Sequence, residues 1–213
     1  MAGSGHMSVS LDTQVPYRQI RAVYDADTVR VYQAYSRRIA DAALRTGTFA
    51  PPEFKMDRMT WIKPSFLWMM YRCGWGYKDV CQERILAIDI SRSGFEWALW
   101  NSRSSRASQD NTAASRIGLP VRIQWDPERS LVLGALPYRS IQIGLGKTAV
   151  KRYVGEWIRR IVDVTDQAHA IYSLVQQREL GDARALLPPE RPYPVQDSLA
   201  AHLEMIEPVP RPR

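Results

Sequence analysis

The amino-acid sequence predicts a single α+β domain with a mixed or antiparallel sheet and flanking helices. Candidate strands and helices alternate irregularly, and hairpin-like strand pairs occur both early and late, which is typical of α+β proteins rather than of doubly wound parallel sheets. The 213 residues are 45% hydrophobic and 24% charged, an ordinary globular composition that excludes wholesale disorder. This length is sufficient to bury a large core without disulfides.

The first half of the chain shows the clearest alternation of signals. Strand-type patterns cover residues 17–24, 29–35, 59–63 and 84–90. Ser36 is placed to cap a helix over 37–45, and Pro64 suits the first turn of a helix over 65–71. A short helix is expected over 94–100.

The second half predicts two strands, a turn between them and two helices. The strands cover 120–125 and 138–145, and the residues 126–129 (DPER) have the composition of a turn. Apolar side chains at helical spacing predict an amphipathic helix over 150–162, and a further helix follows over 165–178.

We interpret residues 1–7 (MAGSGHM) as an expression-tag remnant, 8–180 as the globular domain and 181–213 as a tail. The tail contains seven of the fourteen prolines, so we expect it to be loosely packed or extended. No apolar run approaches the roughly 20 residues that span a bilayer. Two cysteines and no signal peptide favour a cytoplasmic protein without membrane association.

Several classes of enzyme lack support in the sequence. Three histidines and two cysteines form no ligand cluster of the zinc type, so no metal site is expected. The chain contains no GxGxxG, GxxxxGK[ST] or GxSxG motif, so neither dinucleotide-binding, P-loop nor hydrolase chemistry is indicated. Cys73 and Cys81 have no histidine nearby and are expected to be buried thiols.

The charge of the chain suggests a partner that carries phosphate. The formal net charge is +7, and 24 arginines against 5 lysines supply the positive side. Arginine binds phosphate in a planar, bidentate way. A nucleotide or a nucleic acid, RNA or DNA, is therefore the expected partner, although base composition of a genome produces the same arginine excess.

The most unusual segment is 58–75, RMTWIKPSFLWMMYRCGW. It contains three of the seven tryptophans and three cationic residues, Arg58, Lys63 and Arg72. Aromatic faces beside cations can stack a base and hold its phosphate, and the helix start at Ser65 offers free N–H groups to an anion. The alternative is that Trp61 and its apolar neighbours fill the core, but charged groups in such a run need a specific partner.

A second candidate site is 124–129, QWDPER, at the end of a predicted strand. Its carboxylates, above all Glu128, are candidates for a general base or for binding ribose hydroxyls. The alternative is a surface turn with an internal Glu–Arg pair. Gln33 on an early strand and Gln142 on a late one are further polar candidates.

Six runs together closely resemble the family known as domain of unknown function 4291. They are IRAVYDADTVRVYQAY (20–35), the tryptophan segment 58–75, QERILAIDI (82–90), GFEWAL (94–99), VRIQWDPER (121–129) and YRSIQIGL (138–145). The resemblance covers about residues 17–166. It carries no activity with it, since the family is named for lacking one.

The order of elements over 29–71 is also similar to the front half of the ADP-ribosyltransferase superfamily, which implies a split sheet and NAD as substrate. In that superfamily the first strand contacts NAD, a role that would fall to Gln33 or Arg21. Residues 61–65, including Trp61, Lys63 and Ser65, would hold the nicotinamide ribose, and Tyr71 would stack on nicotinamide. The late-strand catalytic glutamate would be replaced by Gln124 or Gln142, or supplied by Glu128 or Glu83.

The leading hypothesis is an ADP-ribosyltransferase-like enzyme that uses NAD as its substrate and modifies a nucleic acid or a nucleotide. Arg58, Lys63 and Arg72 would hold the phosphates. One alternative is a non-catalytic nucleic-acid-binding module, recognisable by steeply salt-dependent binding without any effect of NAD. Another is a Mg²⁺-dependent nuclease or ligase, which a Mg²⁺ requirement would reveal. The oligomeric state stays open.

Overall fold

The computed structural model describes residues 15–104 and 120–205. The predicted tag remnant and the last part of the predicted tail lie outside the described residues. The strands are β1 Arg21–Ala22, β2 Thr28–Tyr35, β3 Thr60–Ile62, β4 Arg84–Ser91, β5 Ser102–Ser104, β6 Val121–Arg129, β7 Ala135–Leu145, β8 Ile158–Asp163 and β9 Arg191–Pro192. The α-helices are α1 Arg37–Thr46, α2 Phe66–Cys73, α3 Arg92–Trp100, α4 Lys147–Arg152, α5 Thr165–Gln176, α6 Leu180–Ala185 and α7 Asp197–His202.

Two main sheets make up the domain, which confirms the predicted α+β class and the mixed sheet. One has the order β2–β4–β8 and is antiparallel throughout. The other has the order β3–β7–β6–β5, in which the pair β5–β6 is parallel and the other pairs are antiparallel. The strand β4 runs through the centre of the first sheet and is buried at most positions because neighbours cover both faces.

Within residues 15–104 and 120–205, the two main sheets meet at a single backbone bridge. Tyr32 on β2 and Lys63, just after β3, exchange hydrogen bonds of 2.7 and 3.3 Å between their main chains. Beyond this bridge the strands are joined by side chains, since the amide of Gln33 donates to Thr60 Oγ1 at 2.7 Å. The position where backbone pairing ends is where the candidate site opens.

Most apolar residues of the tryptophan segment belong to the core. Phe66, Met69, Met70 and Trp75 pack with Tyr32 in one buried cluster, so the core interpretation is confirmed for them. A fully buried large apolar side chain stabilises the fold by about 1.5–3 kcal/mol. These four residues therefore anchor α2 against β2.

The helix predicted over 150–162 is wrong. The helix α4 ends at Arg152, a single π-helical turn spans Tyr153–Trp157, and residues 158–163 form β8. Their apolar spacing fits a helix, but β8 pairs with the open edge of β4, placing Ile161 opposite Ile88. Pairing with a distant strand overrides the local periodicity.

The turn predicted at 126–129 is also wrong. These residues continue β6, and the chain reverses at 130–134, where the Ser130 N–H donates to the Gly134 carbonyl at 2.8 Å. A register shift between Pro127 and Arg129 accommodates the proline. The early strand predicted over 17–24 shrinks to β1, which pairs with β9 rather than with a main sheet.

The expected loose packing of the proline-rich tail is wrong for residues 181–205. Tyr193, Leu199 and Leu203 are buried in the main core cluster. The main chain of the segment contributes as well, because the Trp125 indole N–H donates to the Leu203 carbonyl at 3.1 Å. The segment is thus an integral part of the domain.

Candidate functional site

A cleft of about 850 Å³ opens where β2 and β3 part. Seven of the twelve residues predicted for the site line it: Gln33, Arg58, Trp61, Lys63, Arg72, Gln124 and Gln142. They come from β2, β3, α2, β6 and β7 and from the loop before β3. The fold therefore gathers residues from 33 to 142 on one concave surface.

Lys63 is the most deeply buried charged residue of the cleft lining. Its side chain is only 5% exposed, and in the ranges 15–104 and 120–205 it has no ion pair within 4.0 Å. Burial, aided by the charge of Arg72, lowers the pKa of Lys63 to about 8. A buried lysine without an ion pair is unfavourable for stability, which points to a functional reason for it.

The rim of the cleft is positively charged. Lys55, Arg58 and Arg72 are exposed there, whereas the two carboxylates of the lining have local partners. Glu53 lies 3.7 Å from Arg38, and Asp79 accepts the Cys81 N–H at 2.8 Å. Cationic groups at the mouth of a concave surface attract and bind anions.

Gln33 lies in the wall of the cleft, where its side chain joins β2 to β3 by hydrogen bonds. Its amide nitrogen donates to Thr60 Oγ1 at 2.7 Å and to the Trp61 carbonyl at 3.2 Å, and its oxygen accepts from the Tyr153 hydroxyl at 2.7 Å. The Tyr35 hydroxyl oxygen also lies 3.0 Å from Thr60 Oγ1, within hydrogen-bond distance. Both amide protons are used, so Gln33 fixes β3 and offers a ligand only the remaining acceptor site on its oxygen.

The indole of Trp61 lies across Gly144 on the neighbouring strand β7. The two residues are register partners, and a Cβ at Gly144 would approach the Trp61 ring to 2.9 Å. Only a residue without a side chain permits this close approach. The glycine therefore sets the position of the aromatic group at the site.

Gln124 and Gln142 form a polar pair in the cleft wall, as cross-strand neighbours on β6 and β7. The Gln142 amide nitrogen donates to Gln124 Oε1 at 2.8 Å and to Asp126 Oδ2 at 2.6 Å. Within the described chain, Gln142 Oε1 and the Gln124 NH₂ group have no hydrogen-bond partner. One acceptor oxygen and one NH₂ group with two N–H donors thus remain for a ligand.

Glu128 and Ser65 do not line the cleft. Both are buried, and Ser65 donates to Glu128 Oε1 at 2.8 Å while it accepts the Trp68 N–H at 3.1 Å as the cap of α2. Burial raises the pKa of Glu128, against the opposing effect of hydrogen bonds from the Arg129 N–H and the Ser65 hydroxyl. The predicted acid is therefore engaged with the start of a helix.

Glu190 lies with Ser65 and Glu128 in a second polar cluster, outside the cleft. Sequence reasoning missed this residue. It accepts the Phe66 N–H at 2.6 Å, and burial, with the nearby Glu128 carboxylate, raises its pKa to about 8. Arg21 donates to the Glu190 carbonyl at 3.3 Å and so lies beside the cluster rather than in the cleft. No local pattern marks Glu190, since it stands in a proline-rich segment.

Tyr71 also lies outside the cleft lining. Its ring stacks on Trp68 with centroids 5.2 Å apart, and the Arg129 guanidinium lies 3.5 Å from the ring centroid. The Tyr71 side chain is thus engaged with Trp68 and Arg129 outside the cleft, although the residue is 42% exposed. Cys81, expected to be buried, is instead an exposed thiol at the cleft rim.

Residues 15–104 and 120–205 contain neither a cluster of metal-ligating side chains nor a membrane-spanning helix. Within them, no group of three or more His, Cys, Asp or Glu side chains could hold a metal ion. None of the helices there is both long enough and apolar enough to cross a bilayer.

The family model described as domain of unknown function (DUF4291) matches residues 19–193. The chain belongs to this family. The match includes every residue of the DUF4291 cleft named above and the second cluster with Glu190. No curated protein matches the chain, so the resemblance to ADP-ribosyltransferases gains no support from that comparison.

Proposed function

We propose that the DUF4291 cleft binds NAD and that the protein transfers ADP-ribose to a nucleic acid or a nucleotide. The observation that carries the proposal is a buried amine, Lys63, without an ion pair, in a cleft whose rim is cationic. A ligand that brings phosphates and a polar ring system would satisfy both features.

The chemistry of the cleft matches the parts of NAD. Arg58 and Arg72 at the rim are suited to the pyrophosphate, and the fixed indole of Trp61 offers a stacking surface to a ring. The free donors and acceptor of Gln124 and Gln142 are suited to the carboxamide or the ribose hydroxyls. The split between the two main sheets agrees with what the ADP-ribosyltransferase resemblance implies.

In this reaction the bond between C1′ of the ribose and the nicotinamide nitrogen breaks, and its electron pair leaves with neutral nicotinamide. An acceptor nucleophile forms the new bond to C1′ and gives up its proton. The transition state has oxocarbenium character, so the cleft must hold the ribose and the pyrophosphate in place. The net charge of +7 favours a polyanionic acceptor.

The test is NAD binding and turnover. NAD should raise the melting temperature of the protein, and nicotinamide should be released in the presence of RNA or DNA oligonucleotides. Arg58→Ala and Arg72→Ala should each weaken NAD binding by about 10- to 100-fold, because each removes a charge-assisted hydrogen bond to phosphate. Calorimetric titration measures this change.

Arg45→Ala is the matched control, since Arg45 is exposed on α1 and away from the cleft; its NAD affinity should be unchanged. If NAD neither stabilises the wild-type protein nor releases nicotinamide, with or without nucleic acid, the proposal is refuted. Salt-sensitive binding of oligonucleotides that ignores NAD would identify a nucleic-acid-binding module instead.

A further inference from the structure

We propose that Lys63 is a nucleophile that attacks C1′ of the nicotinamide ribose and carries ADP-ribose as a covalent intermediate. This inference rests on the proposed function and names the group that bonds to C1′ before the acceptor does. It differs from a direct transfer, in which the acceptor itself displaces nicotinamide.

The position of the amine supports this role. Lys63 follows β3 directly. Two main-chain hydrogen bonds with Tyr32 fix it at the point where the two main sheets part. Its side chain lines the cleft at 5% exposure. Across the residues that the structure describes, no carboxylate lies within 4.0 Å of this amine.

The residues considered for the catalytic acid, and the buried hydroxyl of Tyr35, are less suited to attack. Amides stand at Gln124 and Gln142, where the superfamily resemblance implies a glutamate. Glu128 lies in the second cluster, bound to Ser65. Tyr35 shares a hydrogen bond with Thr60, and burial raises the pKa of Tyr35 above its usual value.

The protonation state of Lys63 fits nucleophilic attack. Burial lowers its pKa to about 8, so about one amine in ten is neutral at pH 7, against fewer than about one in a thousand for an exposed lysine. The neutral amine has the lone pair that attack requires. Arg72, whose charge contributes to the lowered pKa, stays cationic and available for phosphate.

The proposed reaction has two balanced steps. First, the Nζ lone pair forms a bond to C1′, the C1′–nicotinamide bond breaks with its electrons going to the departing ring, and Nζ loses a proton to water. Second, a hydroxyl or amine of the acceptor attacks C1′, and Nζ leaves with the electrons of its bond while it takes up the proton of the acceptor. Two inversions give net retention at C1′.

Mass spectrometry tests the intermediate directly. Wild-type protein incubated with NAD and no acceptor should gain the mass of one ADP-ribosyl group, and peptide mapping should place it on Lys63. The rate of adduct formation should rise with pH and level off above about pH 8. Lys63→Arg should form no adduct, whereas Lys151→Arg, which changes an exposed lysine on α4, should behave as wild type.

Lys63→Met serves as a second variant in case the bulkier arginine disturbs the fold; it should keep a native melting transition and form no adduct. Nicotinamide release without any adduct on Lys63, together with turnover by either Lys63 variant, would overturn the inference and leave the proposed function intact. Failure of wild-type protein to bind or consume NAD would instead remove the proposed function, and this inference with it.

Discussion

Ser65 shows how one side chain can be read wrongly as a ligand contact. From sequence, a serine after proline at a helix start suggests an anion site. In the structure its hydroxyl caps α2 by accepting from Trp68 and also donates to Glu128. At 1% exposure, the side chain has no access to the cleft. Its contacts stabilise the start of α2, which carries Arg72 to the cleft rim.

We therefore predict that Ser65→Ala lowers the free energy of unfolding by about 2 kcal/mol, because the variant loses a helix cap and leaves Glu128 short of a donor. NAD affinity should change by less than about twofold, or about 0.4 kcal/mol. Denaturant unfolding and calorimetric titration measure the two quantities.

The matched control is Ser36→Ala, at the start of α1, where the serine side chain makes no capping bond. It should change stability by less than about 0.5 kcal/mol. Unchanged stability of Ser65→Ala together with lost NAD binding would return Ser65 to the ligand site.

At the scale of elements, the contact between α3 and the π-helical turn decides the local packing. Gly94 in the first turn of α3 faces the ring of Trp157, and a Cβ there would lie 2.4 Å from the indole. Trp157 is 2% exposed and Phe95 is fully buried, so the ring has little room to move. The glycine lets the helix approach the turn that precedes β8.

Gly94→Ala should therefore destabilise the protein by about 1–3 kcal/mol through overpacking, which lowers the melting temperature by about 2–4 °C for each kcal/mol in a chain of this size. Gly155→Ala is the control, because nothing lies within 4 Å of a Cβ at Gly155 and its φ angle is not positive. Thermal unfolding compares the two. Equal stability of both variants would show that the Trp157 ring yields freely.

At the scale of the whole molecule, the segment 186–205 closes the domain. The strand β9 pairs with β1, the Tyr193 hydroxyl donates to Glu96 at 2.6 Å, and the Glu190 carboxylate binds the Phe66 N–H at the start of α2. The C-terminal segment is thus connected to the helix that carries Arg72. Its docking makes stability depend on the protonation of Glu190.

This dependence has a definite sign. The pKa of Glu190 rises from 4.5 to about 8 on folding, so between these values the folded protein holds a proton that the unfolded chain has released. Stability therefore falls as pH rises through this window. Glu190→Gln keeps an acceptor oxygen for Phe66 and does not titrate, so it should be less pH-sensitive and should exceed wild type in stability most clearly near pH 8.

Urea unfolding at several pH values between 5 and 8.5 checks this prediction. Glu179→Gln provides the control, because Glu179 is exposed and its side chain caps no helix. Its pH profile should follow wild type. If the stability of Glu190→Gln varied with pH in parallel with that of wild type, a raised pKa for Glu190 would be contradicted. The pKa of Glu128 is also raised, so a smaller dependence of stability on pH should remain in both proteins.

The sequence by itself determined what local patterns encode. Alternation predicted β2, β4 and β7, and residues typical of helix starts predicted α1 and α2. These features depend on neighbours a few residues apart, which is the range over which periodicity and capping act.

Only the tertiary structure decided which distant residues meet. β8 is a strand because it pairs with the open edge of β4. Ser65 and Glu128 lie outside the cleft, where they bind each other. Glu190 binds the start of α2 from a segment whose sequence resembles a loose tail. Such contacts join positions 63 to 124 residues apart. The free energy that selects them comes from burial and long-range pairing, which leave no trace in local residue patterns.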